Sequence, residues 1–331
     1  MKTEDILTYT ALFMAVLLFT MIYASVLIPV LRRYRAGQPI LKIGPVWHMS
    51  KQGTPTMGGL SFIMALLTVF LLYALLLLRH GEQERLASIV LIILFATLCG
   101  AVGFIDDYKK LVKKENQGLS APQKYFLQLV VAAGFLFTAR YLGFVDTAID
   151  VPFTEKSLEL GFFYYPLALL FLTGIVNALN LTDGLDGLLS GTVAVLAAFF
   201  LLYGSAVGEG TFSLFGVLLL GMSIGFLVFN HHPAKVFMGD TGSLFFGGIV
   251  AGVGLMTARP LTVLGMGGVY VIEAASVVLQ VLYFKATNGK RLFLMAPLHH
   301  HFEKRGLSEN AIVCIFAAVA VLCGALMLWG G

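Results

Sequence analysis

Ten stretches of this chain are apolar for long enough to cross a lipid bilayer: about 8–31, 57–78, 86–105, 122–142, 162–180, 188–206, 211–229, 243–257, 262–284 and 310–329. A helix needs about 20 mostly apolar residues to cross a hydrocarbon core of roughly 30 Å. Inside that core every backbone N–H and C=O must find a partner within the segment, so such runs have to be helices. Ten of them use about 200 residues, which leaves short loops in a chain of 331. Only 12% of the residues are charged, where a soluble domain carries roughly 25%. A soluble enzyme, a disordered linker and a free nucleic-acid binder are thereby excluded, since a water-exposed globule of this composition would aggregate. The expected fold is all-α: a polytopic integral membrane protein of about ten spans, one catalytic domain over 1–331, with the lipid bilayer as its first partner and no nucleic acid.

The first run is too long for a secretory signal and lacks a basic leader, having Lys2, Glu4 and Asp5. Arg32-Arg33-Tyr34-Arg35 follows where cleavage would fall, so a retained span is expected. With ten spans both termini lie on one side. The opposite side collects Arg32, Arg33, Arg35, Lys42, Lys51, Lys109, Lys110, Lys113, Lys114, Lys124, Lys235, Lys285, Lys290, Arg291, Lys304 and Arg305, sixteen of the 22 basic residues. Positive charge stays inside, so the termini are expected outside. Loops 32–56, 106–121, 181–187, 230–242 and 285–309 are then cytoplasmic. Cys99, Cys314 and Cys323 all lie within apolar runs and read as small buried hydrophobes rather than as a disulfide framework.

The same loops carry the chemistry. Asp106-Asp107 stands where the third span ends, a place where the helix dipole favours cations; the lysines that follow, Lys110 among them, or a metal ion must compensate the pair. Asn177, Asn180, Asp183 and Asp186 recur every three residues, neighbours on a helix surface, and Gly184 and Gly187 are expected to open the helix so that the four converge. Asn230 begins a loop that runs through Phe237 to Gly239-Asp240-Thr241-Gly242-Ser243 before the short eighth span. Free N–H groups at that helix start would suit phosphate oxygens, Asp240 would be a hard ligand for Mg²⁺, and plain N-capping by Asp240 or Thr241 is the simpler alternative. Lys51 and Gly53-Thr-Pro-Thr56-Met-Gly-Gly59 open the second span without the spacing of an ATP-binding loop. His299-His300-His301 could bind a transition metal, but companion ligands that are all oxygen favour Mg²⁺ with phosphates, the histidines acting as donors to an anionic substrate. Together these residues describe a membrane-surface site for a phosphorylated substrate.

These motifs, with Pro297-Leu-His-His-His-Phe-Glu303, resemble in order those of the phospho-N-acetylmuramoyl-pentapeptide transferases, within the polyprenyl-phosphate sugar-1-phosphate transferase superfamily. The resemblance runs from about residue 32 to 305. It implies transfer of phospho-N-acetylmuramoyl-pentapeptide from UDP-N-acetylmuramoyl-pentapeptide to undecaprenyl phosphate, giving lipid I and UMP with Mg²⁺ as cofactor, at the bacterial cytoplasmic membrane. By the same resemblance Asp240 is the metal ligand, Asp106 is the acid that deprotonates the lipid phosphate, Asp107 supports it, and His300 counts with these three as catalytic. Lys51, Thr56, Lys110, Asn177, Asn180, Asp183, Asp186, Asn230, Phe237, Gln280, His299 and His301 are the implied substrate-binding residues, Phe237 stacking on uracil. A homodimer is left open, since nothing in the sequence sets the assembly state. Direct attack by the lipid phosphate is preferred to a covalent aspartyl intermediate, because that phosphate is already ionised.

Two other readings compete. One keeps the superfamily and changes the donor to UDP-N-acetylglucosamine. The other is a secondary transporter, because ionisable residues inside spans mark ion or substrate pathways. Glu273 alone falls mid-span, and its role, as a buried, protonated or paired acid, is left open.

Overall fold

The computed structural model describes residues 3–33, 53–113, 118–154 and 156–329; Lys51 lies outside them. The chain runs α1 (Thr3–Arg33), α2 (Gly59–Arg79), α3 (Gln83–Lys113), α4 (Ala121–Tyr141), β1 (Ala148–Asp150), β2 (Ser157–Glu159), α5 (Tyr164–Thr182), α6 (Leu188–Val207), α7 (Gly210–Asn230), α8 (Gly239–Met256), α9 (Pro260–Met266), α10 (Gly268–Ala286), α11 (Leu298–Lys304) and α12 (Glu309–Trp329). Among the described residues nine helices are long and apolar enough to cross a membrane. The 21-residue α4, with Lys124 and Arg140 near its ends, is the tenth long helix and packs between α3 and α5. This is the all-α polytopic fold expected from the apolar runs. One run divides. Residues 262–284 become α9 and α10, parted at Gly267, where Gly265, Gly267 and Gly268 remove helix propensity. Gly265 and Gly268 also let α12 close in, since a Cβ on them would stand 2.3 Å from Met327 Sδ and 2.7 Å from Cys323 Sγ.

Helix α8 is the axis of the bundle. It is apolar on every side, as a helix surrounded by protein must be, and residues 241–255 are all buried. Its closest neighbours are α3 and α5, reached through two consecutive glycines. A Cβ on Gly248 would lie 2.6 Å from Ala96 Cα of α3, and one on Gly247 2.6 Å from Val176 Cα of α5. Such small-residue seams are how helices associate where lipid offers no hydrophobic drive. The outer helices instead expose Leu71, Leu72, Phe137 and Leu322, side chains suited to acyl chains. Cys99 is buried as expected, whereas Cys314 is exposed on α12: an apolar run in a membrane protein has a lipid side as well as a core side.

The two ends of the bundle differ. One carries the described chain ends and a short antiparallel hairpin pairing Ile149 with Leu158, tied down by Arg259, which donates to Asp150 at 3.2 Å and to the Tyr203 hydroxyl at 2.8 Å. The other gathers the C-terminal ends of α3, α5, α7 and α10 and the N-terminal ends of α2, α4, α6, α8 and α12. There the segment before α2 is zipped to the segment before α8: Phe237 N–H donates to Pro55 O, Gly58 N–H to Phe237 O and Gly59 N–H to Met238 O.

The α3–α8 seam is tightest at Gly103, where a Cβ would sit 2.1 Å from the Asp240 carbonyl oxygen. Gly103→Ala is expected to destabilise the protein by about 1–3 kcal/mol through overpacking, read as a lower thermal unfolding midpoint in detergent. Gly134→Ala on α4, with nothing within 4 Å, serves as the neutral control.

Candidate active site

Helix α8 begins at Gly239, four residues before the apolar run starts, so Asp240 and Thr241 sit in its first turn rather than in a loop. Neither caps the helix; the N-cap is Met238 and makes no side-chain bond. The free N–H groups of that turn do attract an anion, but the anion is Asp107. Its carboxylate accepts from Asp240 N at 3.3 Å, Thr241 N at 2.9 Å and Thr241 Oγ1 at 2.7 Å. The expected place for a phosphate oxygen is therefore taken by a side chain of α3.

This attachment brings Asp106, Asp107 and Asp240 together, each offering an oxygen within 4.8 Å of the others. Helix α3 continues a further turn and a half to Lys113, which places Lys110 on the same face as Asp106. Its Nζ lies 2.6 Å from Asp106 Oδ2, 2.9 Å from Asp240 Oδ2 and 3.9 Å from Asp107 Oδ1. A second ammonium comes from α4. Ser120 and Gln123 form a capping box at its start, a local arrangement that satisfies two orphan helix donors. Leu119 N–H donates to Asp106 Oδ1 at 2.7 Å, joining that start to the acidic pair. Lys124, one turn on, reaches Asp240 Oδ2 at 3.0 Å and Asn180 Oδ1 at 3.1 Å. Asn180 donates in turn to Asp240 Oδ1 and to Ser243 Oγ, both at 2.8 Å. Lys124 was not singled out by the sequence, although an isolated Lys124/Gln128 pair at i, i+4 in an apolar run marks one polar face of α4.

The other three members of the three-residue repeat do not meet Asn180 at one point, because α5 ends at Thr182 and the stripe turns away. Asn177 lies a turn deeper and donates to Gln128 Oε1 at 2.6 Å. Asp186 faces the other way, accepting from Ala234 N at 3.0 Å with His232 Nδ1 at the same distance. Asp183 follows α5 directly as its C-cap residue and lies near the cluster. Burial first, then the charges of Asp240, Asp107 and Asp186, push its pKa well above the usual carboxylate range. Its carboxyl has no hydrogen bond among the described residues. Three carboxylates face two ammoniums, an excess of negative charge on hard oxygen atoms that suits a divalent cation such as Mg²⁺.

Other expected residues frame the site. Thr56 is buried beside Gly239, whose added Cβ would fall 2.7 Å from Thr56 Oγ1. Phe237 is half-buried between the buried Val236 and Met238, leaving its ring partly open. Asn230 is fully engaged by protein: Oδ1 accepts from Gly187 N at 3.2 Å and Ser190 Oγ at 2.8 Å, and Nδ2 donates to Val236 O at 3.0 Å. Gln280 pins the segment before α11 by accepting from Leu292 N and Phe293 N. Of the histidines, His299 is buried against Glu273, His300 meets Glu303 at 3.0 Å, and His301 accepts from Leu294 N at 3.1 Å. Burial, then the charge of Arg305, lowers the pKa of His301, so its ring is neutral at pH 7 and its accepting Nδ1 is no donor to an anion. A cavity of about 640 Å³ adjoins this rim, lined by Thr54, Asp186, His232, Glu303 and Glu309 among others.

Residues 88–258 match the family model described as glycosyl transferase family 4. The chain is 43% identical to the phospho-N-acetylmuramoyl-pentapeptide-transferase of Halalkalibacterium halodurans, over 94% of this chain and 93% of that protein. It is 45% identical to the enzyme of that name from Geobacillus thermodenitrificans and 42% identical to that from Bacillus subtilis, in each case over 94% of both chains.

The bonding separates two asparagines that look alike in sequence. Asn230→Ala would strand a buried N–H, a hydroxyl and a carbonyl, and is expected to cost about 1–3 kcal/mol, visible as a lower unfolding midpoint. Asn180→Ala, at the partly open cluster, is expected to leave the midpoint nearly unchanged while lowering activity.

Proposed function

The chain belongs to the phospho-N-acetylmuramoyl-pentapeptide transferases, within glycosyl transferase family 4, and we propose that the Asp106–Asp107–Asp240 cluster with Lys110 and Lys124 is where it performs that transfer. The donor is UDP-N-acetylmuramoyl-pentapeptide, the acceptor undecaprenyl phosphate, and the products are lipid I and UMP. The observation that carries the reading is Asp240, which lies at the first turn of the central helix and is held at once by Lys110, Lys124 and Asn180. Phosphoryl chemistry needs mainly positioning and charge stabilisation, and this end of the bundle supplies both. A transporter is not favoured: the relatives are transferases, and the mid-span Glu273 is paired with His299.

Mg²⁺ held by Asp240 with Asp106 or Asp107 would neutralise the diphosphate of the donor. Lys110 and Lys124, now paired with the carboxylates, are the groups free to turn to phosphate oxygens when a ligand enters. Asp107 keeps its three donors and holds α3 on α8. Asp106 accepts any proton left on the lipid phosphate. An oxygen of that phosphate forms a bond to the β-phosphorus of the donor. The bond from that phosphorus to the oxygen bridging toward uridine breaks, and UMP departs with the electron pair. The partly open ring of Phe237 offers a stacking face for uracil. With sixteen of 22 basic residues on its side, this face is read as cytoplasmic, in the cytoplasmic membrane of a bacterium.

Purified protein supplied with both substrates and Mg²⁺ is expected to release UMP, and excess chelator to stop it. Asp240→Ala is expected to release none at any Mg²⁺ concentration. Lys124→Met is expected to lower kcat by about 10²–10³, as for loss of one preorganised charge-stabilising donor. Asp146→Ala, at the hairpin end where Asp146 pairs with Arg140, is expected to leave the rate unchanged. Equal loss in Asp146→Ala and Asp240→Ala would refute the assignment of the site to this end.

A further inference from the structure

Glu273 lies well inside α10 and is wholly buried. An ionisable side chain at membrane depth is costly, and it marks function by default unless its partner explains it. Both of its oxygens go to one residue. Oε1 accepts from the backbone N–H of His299 at 3.1 Å, and Oε2 meets ring Nδ1 at 2.8 Å. A carboxylate can only accept, so the hydrogen is on Nδ1. The other ring nitrogen, Nε2, is buried and has no hydrogen-bond partner among the described residues. It rests on Gly184: a Cβ added there would fall 2.1 Å from Nε2 and 2.7 Å from Cε1. A lone pair can face that CH₂ group, whereas an N–H at the same place would be a buried donor with nothing to bond.

Gly184 lies in the turn that joins α5 to α6 and carries Asp183 and Asp186. A glycine is required there because the imidazole occupies the place of a side chain. The contacts thus run in one line, from Glu273 on α10 to His299 on α11, and on to the turn beside the acidic cluster. A carboxylate fixing a histidine's tautomer and ring orientation is a general device wherever a ring must be held in one state.

We propose that Glu273 is a positioning residue for the transfer reaction: it clamps His299 in the Nδ1-protonated form, and the clamped ring, seated on Gly184, sets the Asp183–Asp186 turn for the nucleotide-sugar donor. This rests on the reading of the cluster as the transfer site. The residue touches no reacting atom, so its loss weakens donor binding and spares the chemical step.

The test uses full-length protein in detergent, with kcat and both KM values measured by UMP release and folding followed by thermal unfolding. Glu273→Gln keeps the shape and the bond to the His299 backbone N–H but removes the carboxylate that faces Nδ1. Its amide nitrogen, turned to Nδ1, forces the hydrogen onto Nε2. The expected result is a protein that still folds, with a lower unfolding midpoint from the unbonded Nε2–H, a donor KM raised about tenfold, and a lipid KM and kcat within about twofold of wild type. His299→Asn is expected to give the same donor loss, and the double variant no more than either alone, as for two residues acting through one contact. Glu273→Asp, which keeps the carboxylate, is expected to recover part of the affinity. Should Glu273→Gln fail to fold, Gly184→Ala approaches the contact from the other side, with the same expected rise in donor KM. Native kinetics in the folded variant, or additive losses in the double variant, overturns the proposal alone. A wild-type protein that releases no UMP overturns the functional reading and the proposal with it.

Discussion

The carboxylate of Asp107, bonded to the first turn of α8, is the interaction on which the rest of the site depends. A helix beginning inside a membrane bundle presents N–H groups that lipid cannot satisfy, and a buried carboxylate needs donors that lipid cannot supply. Each requirement meets the other at 2.7–3.3 Å. The bond also sets the relative height of α3 and α8, which the glycine at position 103 lets come into backbone contact. Asp106 and Asp240 are adjacent because of that register. Lys110 and Lys124 then hold a group of acids that would otherwise repel one another.

The rest of the bundle serves this arrangement. Helix α8 is surrounded by protein, so its start is a fixed point, while the lipid-facing helices around it are apolar on their outer surfaces. The segment before α2 pairs with the segment before α8, Asn230 bonds the end of α7 to the start of α6 and to Val236, and Gln280 secures the approach to α11. Asn230 and Gln280 therefore act as fastenings between loops.

Much of this was legible along the chain. The apolar runs foretold most helices to within a few residues, although α3 extends eight residues past its run and the ninth run divides, and motifs that crowd alternate loops come together at one end of the bundle. The acids at 106, 107 and 240 were recognisable because so few charges interrupt the apolar sequence. The errors have physical causes. The sequence places position 240 in a loop because Gly239 through Ser243 are too polar and small to read as a span, yet they form a helix once Asp107 bonds its first turn. The residues at 177, 180, 183 and 186 do not converge, because α5 ends before the stripe is complete; Asn177, Asn180 and Asp186 each find a different partner. Lys124 passed unnoticed because its partners lie 56 and 116 residues away.

The sequence by itself determined a multi-pass membrane protein and the apolar helices that cross the bilayer. These follow from transfer of side chains between water and lipid, a property of each segment that hardly depends on the others. Tertiary structure alone decided which acid holds α8 and which holds a lysine, which asparagine reaches the cluster and which fastens a loop, and that the mid-span Glu273 answers to His299. Those outcomes depend on ångström-scale register between helices distant in the chain. That register is set by where glycines let backbones touch and by which buried charge finds its partner.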